Sequence, residues 1–396
     1  MQLYLENLIA WGGSGAPHRA TVWRRWRSCG GDFWLIIDAA RVYHARTAGN
    51  KAVAVKMSHT TKHNKNPVLR HEACVMITLR EHPAIPEVYA WGRSQFFEYL
   101  ALEELGQDLT TLSRLTLRNL VALTCQLLDA VQFIHAHHIV HCDIKLSNVL
   151  FQRHPSGAIK LIDFGMAKLY RDPMTRQHRA QMSLKKLYGT RVFASVNVHH
   201  HIRPSRRDDI ESLSYTVLCL LCGGLPWQNR DIEGADILRV KAGWSGATLG
   251  NGHPAVFGDF LDYARNLAFD EEPNYKEWRK RFMALASDIP EPPIFLFSDT
   301  GDCVGKANWP SGVHPVSALT SPESDQEADA VWGSDDMFSP MDGWVGPVDV
   351  PDEDLVGDEQ RTVLTSLGHF DEVPGMREPC MFTYPGYPER MVADSV

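Results

Sequence analysis

Apolar positions follow a strand period in the first part of the chain and a helix period later. Ala52, Val53, Ala54 and Val55 form a short apolar run that ends at Lys56, so residues 51–60 are predicted to be a strand. Val68 to Leu79 reads as a helix, and Tyr99 to Leu105 as another short strand. From Leu117 the apolar positions Leu120, Val121, Leu127, Leu128, Val131 and Ile134 recur at helical spacing, and this helix is expected to run into His141. Short strand signals follow at Asn148–Phe151 and Ile159–Ile162, divided by a turn at Pro155-Ser156-Gly157. Beyond Arg206 the pattern is mainly helical. A small strand-rich part followed by a larger helical part is an α+β arrangement of two lobes, which leaves a cleft between them.

The length of 396 residues exceeds one ordinary hydrophobic core, in keeping with two lobes plus appendages. No apolar run approaches the roughly 18 residues of a membrane span. The most apolar stretch, Leu213 to Trp227, is interrupted by Ser214, Gly223 and Gly224. The first eleven residues carry Glu6 and lack a basic start, which argues against a secretory signal. Eight scattered cysteines do not form a disulfide framework, so a reducing compartment, cytoplasm or nucleus, is expected.

The net charge of −8 hides a division. Residues 288–396 hold 22 Asp/Glu against 4 Lys/Arg, which leaves 26 acidic and 36 basic residues for positions 1–287. The same last segment holds 13 of the 23 prolines, and its low apolar content predicts disorder. A basic body suggests anionic partners. The chain therefore divides into an N-terminal extension (1–28), a two-lobed domain (29–287, with the lobes meeting near 105) and an acidic, proline-rich tail (288–396).

The strongest chemical signal is His141-Cys142-Asp143-Ile144-Lys145-Leu146-Ser147-Asn148, followed 15 residues after Asn148 by Asp163-Phe164-Gly165. Phosphoryl transfer needs a carboxylate to accept a hydroxyl proton, oxygen ligands for magnesium and a cation for the transferred group. Asp143 suits the first role, Asn148 and Asp163 the second, and Lys145, two residues beyond the base, the third. Each piece alone is weak; together, in this order, they are a strong signature. Lys56 at the end of its strand fits the lysine that contacts the α- and β-phosphates, with Glu72 as the carboxylate that orients it. His71 is the other polar residue at that place, but imidazole is a poor ion-pair partner at neutral pH.

These residues resemble a eukaryotic protein kinase of the casein kinase 1 family. The resemblance rests also on Asp163-Phe164-Gly165-Met166-Ala167-Lys168, Tyr170-Arg171-Asp172, Gln177-His178, and Gly189-Thr190 before Ser195-Val196-Asn197. It extends through Ser205-Arg206-Arg207-Asp208-Asp209-Ile210-Glu211-Ser212-Leu213, Leu225-Pro226-Trp227-Gln228 and Phe257 to Phe282, covering roughly residues 50–285. It implies a bilobal protein kinase fold, ATP and Mg2+ as cofactors, and transfer of the γ-phosphate to Ser or Thr of acidic or already phosphorylated proteins. It further implies that Leu102 is the gatekeeper, that Glu103 and Leu105 offer backbone hydrogen bonds to adenine, and that Asp209 grips the backbone around Cys142. Arg206 matches the family's anion-pocket arginine and Lys185 is a second cation for it, whereas Arg239 and Lys241 are merely near the place of the pocket's lysine. No nucleic-acid or membrane partner is implied.

The sequence departs from the family at the glycine-rich loop, which needs glycines because backbone N–H groups approach phosphate closely. Its expected place, Leu35-Ile36-Ile37-Asp38-Ala39-Ala40, has none; Cys29-Gly30-Gly31 resembles half of it, and Gly12-Gly13-Ser14-Gly15 reads as too far upstream. Two readings stay open: an active serine/threonine kinase with weakened ATP affinity, or a pseudokinase that binds or scaffolds. Cys142 replaces the usual arginine before the base, Cys219-Leu220-Leu221-Cys222 reads as core rather than a metal site, and His199-His200-His201 as a solvated loop. Ser321 before Ser324 and Asp336 before Ser339 have the spacing this family favours in substrates, so the tail is either an intramolecular inhibitor or an inert solubilising segment.

Overall fold

The computed structural model describes residues 3–11, 24–28, 31–35 and 41–305, apart from short gaps at 48, 60–67, 94–96, 113, 154–155, 229–233 and 287. Five strands, β1 (Leu3–Trp11), β4 (Arg41–Thr47), β5 (Ala52–His59), β6 (Val88–Arg93) and β7 (Phe97–Glu103), form an antiparallel sheet in the order β1-β4-β5-β7-β6. The two-residue period sets its faces. Val53, Val55, Ala45, Ala90, Tyr99 and Ala101 pack together on one side, while Leu100 packs with Leu69 and Ala73 of α1 (Val68–Thr78). A separate ribbon pairs β2 (Arg24–Ser28) with β3 (Gly31–Leu35).

The stretch before residue 28, expected from sequence to be an extension, contributes a strand to this sheet. β1, assigned from sequence to an extension, is the sheet's edge strand, with Leu3 opposite Thr47 and Trp11 opposite Arg41. Its pairing partner lies beyond residue 40, so neither strand's local pattern reveals the pair. Gly12-Gly13-Ser14-Gly15 thus follows directly on a strand whose end meets the start of β4; these glycines and residues 36–40 lie outside the described residues.

The larger lobe is built around α2 (Leu117–Ala136). Thr116 caps it by accepting the Asn119 N–H at 3.2 Å. The helix is long and apolar enough to cross a membrane, but protein surrounds it: Leu120, Val121, Leu127, Leu128, Val131 and Ile134 are all buried. It ends at Ala136 rather than continuing to His141, because His138 takes a left-handed φ of 70° and turns the chain into β8 (Ile139–Val140). The hairpin β9 (Val149–Phe151) and β10 (Ile159–Leu161) follows, then β11 (Lys168–Leu169) against β8. Further on come α3 (Val196–His199), α4 (Arg206–Cys222), α5 (Gly234–Gly243), α6 (Gly246–Leu249), α7 (Ala255–Asn266) and α8 (Tyr275–Met283). Helix α4 starts with a capping box between Ser205 and Asp208 and ends at Gly223, where φ is 76°. Burial pushes the thiols of Cys219 and Cys222 up to about 12, and both sit in the apolar core.

Residues just beyond 288, expected from sequence to begin the tail, contact the larger lobe. Asn119 exchanges two hydrogen bonds with the Leu296 backbone at 2.9 and 2.8 Å, and the Val304 N–H donates to Leu115 O at 2.8 Å. Phe295 is buried against Phe151, their ring centroids 4.9 Å apart. The apolar run Ile294-Phe295-Leu296-Phe297 anchors this stretch despite the acidic composition around it. Residues 306–396, with Trp309, Trp332, Phe338, Trp344 and the serines noted above, lie outside the described residues.

Candidate active site

Three elements converge on the Lys56 ammonium. From β5 its Nζ reaches Glu72 Oε2 on α1 at 2.8 Å and Asp163 Oδ1 at 2.9 Å. Glu72 is 1% exposed, so its charge is held by Lys56 rather than by water. Burial works against the Lys56 ammonium, but Asp163 and Glu72 together raise its pKa, and it stays protonated. Burial also opposes the Asp163 carboxylate; Lys56 overcomes this and holds it below the ordinary carboxylate range. Asp163 has a left-handed φ of 65°, which turns Phe164 into the core, where its ring meets His141 edge-on. His71, the neighbour of Glu72, points elsewhere and contacts Ala167 O at 2.9 Å.

A second cluster lies on the loop after β8. Asp143 Oδ1 accepts from the Thr190 N–H at 2.9 Å and the Thr190 hydroxyl at 2.8 Å. Lys145 Nζ lies 3.1 Å from Asp143 Oδ2 and donates to Thr190 Oγ1 at 2.7 Å. Asn148 Nδ2 donates to Asp143 O at 2.9 Å and Oδ2 at 3.2 Å. Asp143, Lys145 and Asn148 are thus brought together, with Thr190, in sequence only one of the family marks, as the residue that organises them.

Asp209, in the first turn of α4, lies beneath this loop. Its carboxylate accepts the His141 N–H at 2.7 Å and the Cys142 N–H at 2.9 Å, and its Oδ2 lies 2.8 Å from His135 Nε2. Cys142 takes a φ of 68°, a conformation that two flanking backbone bonds help to hold. Burial keeps His135 neutral, so Nε2–H donates to Asp209 and Nδ1 accepts from the Tyr275 hydroxyl at 2.6 Å. For Asp209, burial opposes ionisation, and the hydrogen bonds from His135 and the His141 N–H prevail to lower its pKa. His135 and Tyr275 are further members of the site's support; a helical apolar pattern gives no sign of them.

At the cleft's back edge, Leu102 on β7 stands opposite Ala54 and is half-buried. The Glu103 N–H donates to Glu87 O at 2.9 Å, and its carboxylate pairs with Lys160 at 3.0 Å. Leu105, half-buried, lies on the crossing between the lobes.

The two cations expected at an anion pocket sit in different settings. Lys185 is exposed on the segment before α3, but Arg206 is 7% exposed and turned inward. Its guanidinium donates to Asp270 O at 2.6 Å and to the Tyr170 hydroxyl at 3.4 Å, and lies 3.5 Å from Glu272. Its Nε is buried without a hydrogen-bond partner among the described residues. The triple histidine also differs from expectation: His200 and His201 are exposed, but His199 is buried, its ring nitrogen 2.9 Å from Arg191 O. Burial, with Lys241 beside it, pushes His199 down to about 4.

Comparison with known proteins agrees with this geometry. The model of the protein kinase domain matches residues 38–244. Casein kinase I homolog 2 of Schizosaccharomyces pombe is 34% identical over 258 residues, covering 62% of this chain and 58% of that protein. Casein kinase I homolog RAG8 of Kluyveromyces lactis is 32% identical over 272 residues, covering 65% and 49%. Casein kinase I homolog 1 of Saccharomyces cerevisiae is 33% identical over 252 residues, covering 60% and 47%. The chain spans about half the length of these curated relatives.

Proposed function

The chain belongs to the protein kinase family, and we propose that it is a serine/threonine protein kinase of casein kinase 1 type. The observation that carries this reading is the Lys56 ammonium held between Glu72 and Asp163, since a kinase is competent only when the lysine pair and the Asp-Phe-Gly aspartate are in place together. In the proposed reaction Lys56 orients the α- and β-phosphates, and backbone groups of Glu103 and Leu105 hold adenine against Leu102. Asp143 accepts the proton of the substrate hydroxyl, and Lys145 moves from Asp143 to the transferred phosphoryl group.

Asn148 and Asp163 would hold magnesium. Asn148 spends its amide nitrogen on Asp143, which leaves the amide oxygen as a hard ligand, and Asp163 is kept ionised. A set of one amide oxygen and one carboxylate suits an ion that takes its remaining ligands from phosphate and water. Bound magnesium would neutralise charge on the phosphates.

The excess of basic over acidic residues in positions 1–287, and the exposed Lys185 and Arg191 beside Thr190, support acidic or phosphorylated substrates. Labelled ATP with a serine peptide preceded by acidic residues, beside neutral and Ser→Ala versions, tests this reading. Transfer that prefers the acidic peptide and requires its serine supports it; indifference to the acidic residues would sink the specificity. A pseudokinase remains the second reading, favoured by one feature: residues 12–40 intervene between the paired ends of β1 and β4, where the family's glycine loop belongs. Magnesium-dependent ATP binding without transfer to any peptide would select it.

A further inference from the structure

A lysine is buried beneath the loop that carries Thr190. Lys241, near the end of α5, is 0% exposed. Its Nζ donates to Arg191 O at 2.9 Å and Ala194 O at 2.6 Å and lies 3.3 Å from His199 Nε2. Its Nζ sits over the rings of Tyr215 and Trp227, 4.7 and 5.3 Å from their centroids. Burial drives its pKa well below the ordinary lysine value. Placing such a group in the interior is unfavourable unless its hydrogen bonds are made, and removing it leaves Ala194 O without this donor, while Arg191 O keeps the His199 ring nitrogen at 2.9 Å.

What those carbonyls belong to gives the lysine its meaning. Residues 190–194 form a closed turn, since the N–H groups of Phe193 and Ala194 donate to Thr190 O at 3.0 and 2.8 Å. On its inner side Thr190 meets Asp143 and Lys145. On its outer side Lys241 donates to Arg191 O and Ala194 O, the His199 ring nitrogen lies 2.9 Å from Arg191 O, and Trp227 Nε1 donates to Val192 O at 2.8 Å. Within this turn Arg191 is exposed and Thr190 half-buried, while Val192, Phe193 and Ala194 are buried.

We infer that Lys241 is a positioning residue for the protein substrate, fixing the 190–194 turn so that Thr190 and the bound peptide present a hydroxyl to Asp143. The inference rests on the kinase reading. It does not involve the nucleotide, because Lys241 touches none of Lys56, Glu72, Asn148 or Asp163 among the contacts that define that side of the cleft.

The test is Lys241→Met, which keeps length and apolar contact with Tyr215 and Trp227 but removes the donors. Peptide kcat/KM should fall by about 100-fold, the loss expected for a misplacement of about 1 Å, while the ATP KM and nucleotide affinity stay at wild-type values. Lys241→Gln, which restores one donor, should recover part of the loss. Amide exchange should quicken in residues 190–199 and remain unchanged in β5 and α1. Unchanged peptide kinetics in a folded variant overturns the inference. So does equal loss of ATP and peptide affinity, or failure of both variants to fold, since either assigns Lys241 to general stability. If the wild type itself transfers no phosphate, the kinase reading fails instead, and local exchange in 190–199 still decides whether Lys241 holds the turn.

Discussion

Replacing Asp209 by Asn should loosen the catalytic loop at a defined cost. The carboxylate, 1% exposed, takes three donors: the N–H groups of His141 and Cys142 and the ring of His135. An amide of the same shape has one acceptor oxygen, so its NH2 must face a donor, and one backbone N–H loses its partner. Losing one charge-assisted hydrogen bond and leaving a buried donor unmatched together cost about 3–5 kcal/mol. In a domain of this size that is roughly a 10 °C fall in Tm. The left-handed Cys142 is released at the same time, so Asp143, next in the chain, loses its fixed placement.

The pH dependence has a definite sign. The folded pKa of Asp209 lies below its unfolded value, so its stabilisation is present above the unfolded pKa and is lost as pH falls through the folded one. The wild-type advantage over Asp209→Asn should therefore be constant near neutral pH and shrink below about pH 4. Urea unfolding of both proteins across this range, with transfer kinetics at neutral pH, measures both effects. A variant within 1 kcal/mol of wild type with full turnover would refute the account of how this loop is held.

Gly189→Ala should cripple turnover more than stability: φ is 81°, which costs a side-chain residue about 1–2 kcal/mol, and its Cβ would overlap Cys142 O, pushing Thr190 from Asp143. Steady-state kcat beside urea unfolding checks it. Phe295→Ala should destabilise the domain by about 3–5 kcal/mol, and truncation after residue 305 should leave a stable protein where truncation at 287 does not. Burial pushes Asp208 up to about 7, above its unfolded value, so the stability it contributes is greatest in acid and is lost as pH rises through 7. Asp208→Asn should flatten the stability profile between pH 5 and 8, as read by thermal unfolding.

The sequence revealed whatever depends on local pattern. The strand carrying Lys56, helix α1, the hairpin β9–β10 and the two catalytic motifs can each be read from a few adjacent residues, because period and spacing are local properties. The edge strand β1 could not be read, since its identity lies in hydrogen bonds to Arg41–Thr47 and not in its own alternation. The docking of residues 288–305 was hidden by averaging: many acidic residues and prolines outweighed one aromatic run in the composition, though that run alone buries Phe295. Arg206 and Lys241 show the same limit for charged side chains. Arg206 matches the family's anion-pocket arginine and Lys241 is merely near the place of the pocket's lysine, yet both are buried, Arg206 donating to Asp270 O and Lys241 to Arg191 O and Ala194 O. Whether a cation faces water is decided by tertiary packing, which no spacing in the chain encodes.

The measurement that bears most directly on the central claim is transfer of labelled γ-phosphate from ATP to casein, run beside Asp143→Asn. The account predicts serine and threonine labelling by the wild type and a loss of about 100-fold or more in the variant, the share a positioned general base supplies. No labelling by a folded wild type that still binds ATP, or equal labelling by the variant, would contradict it.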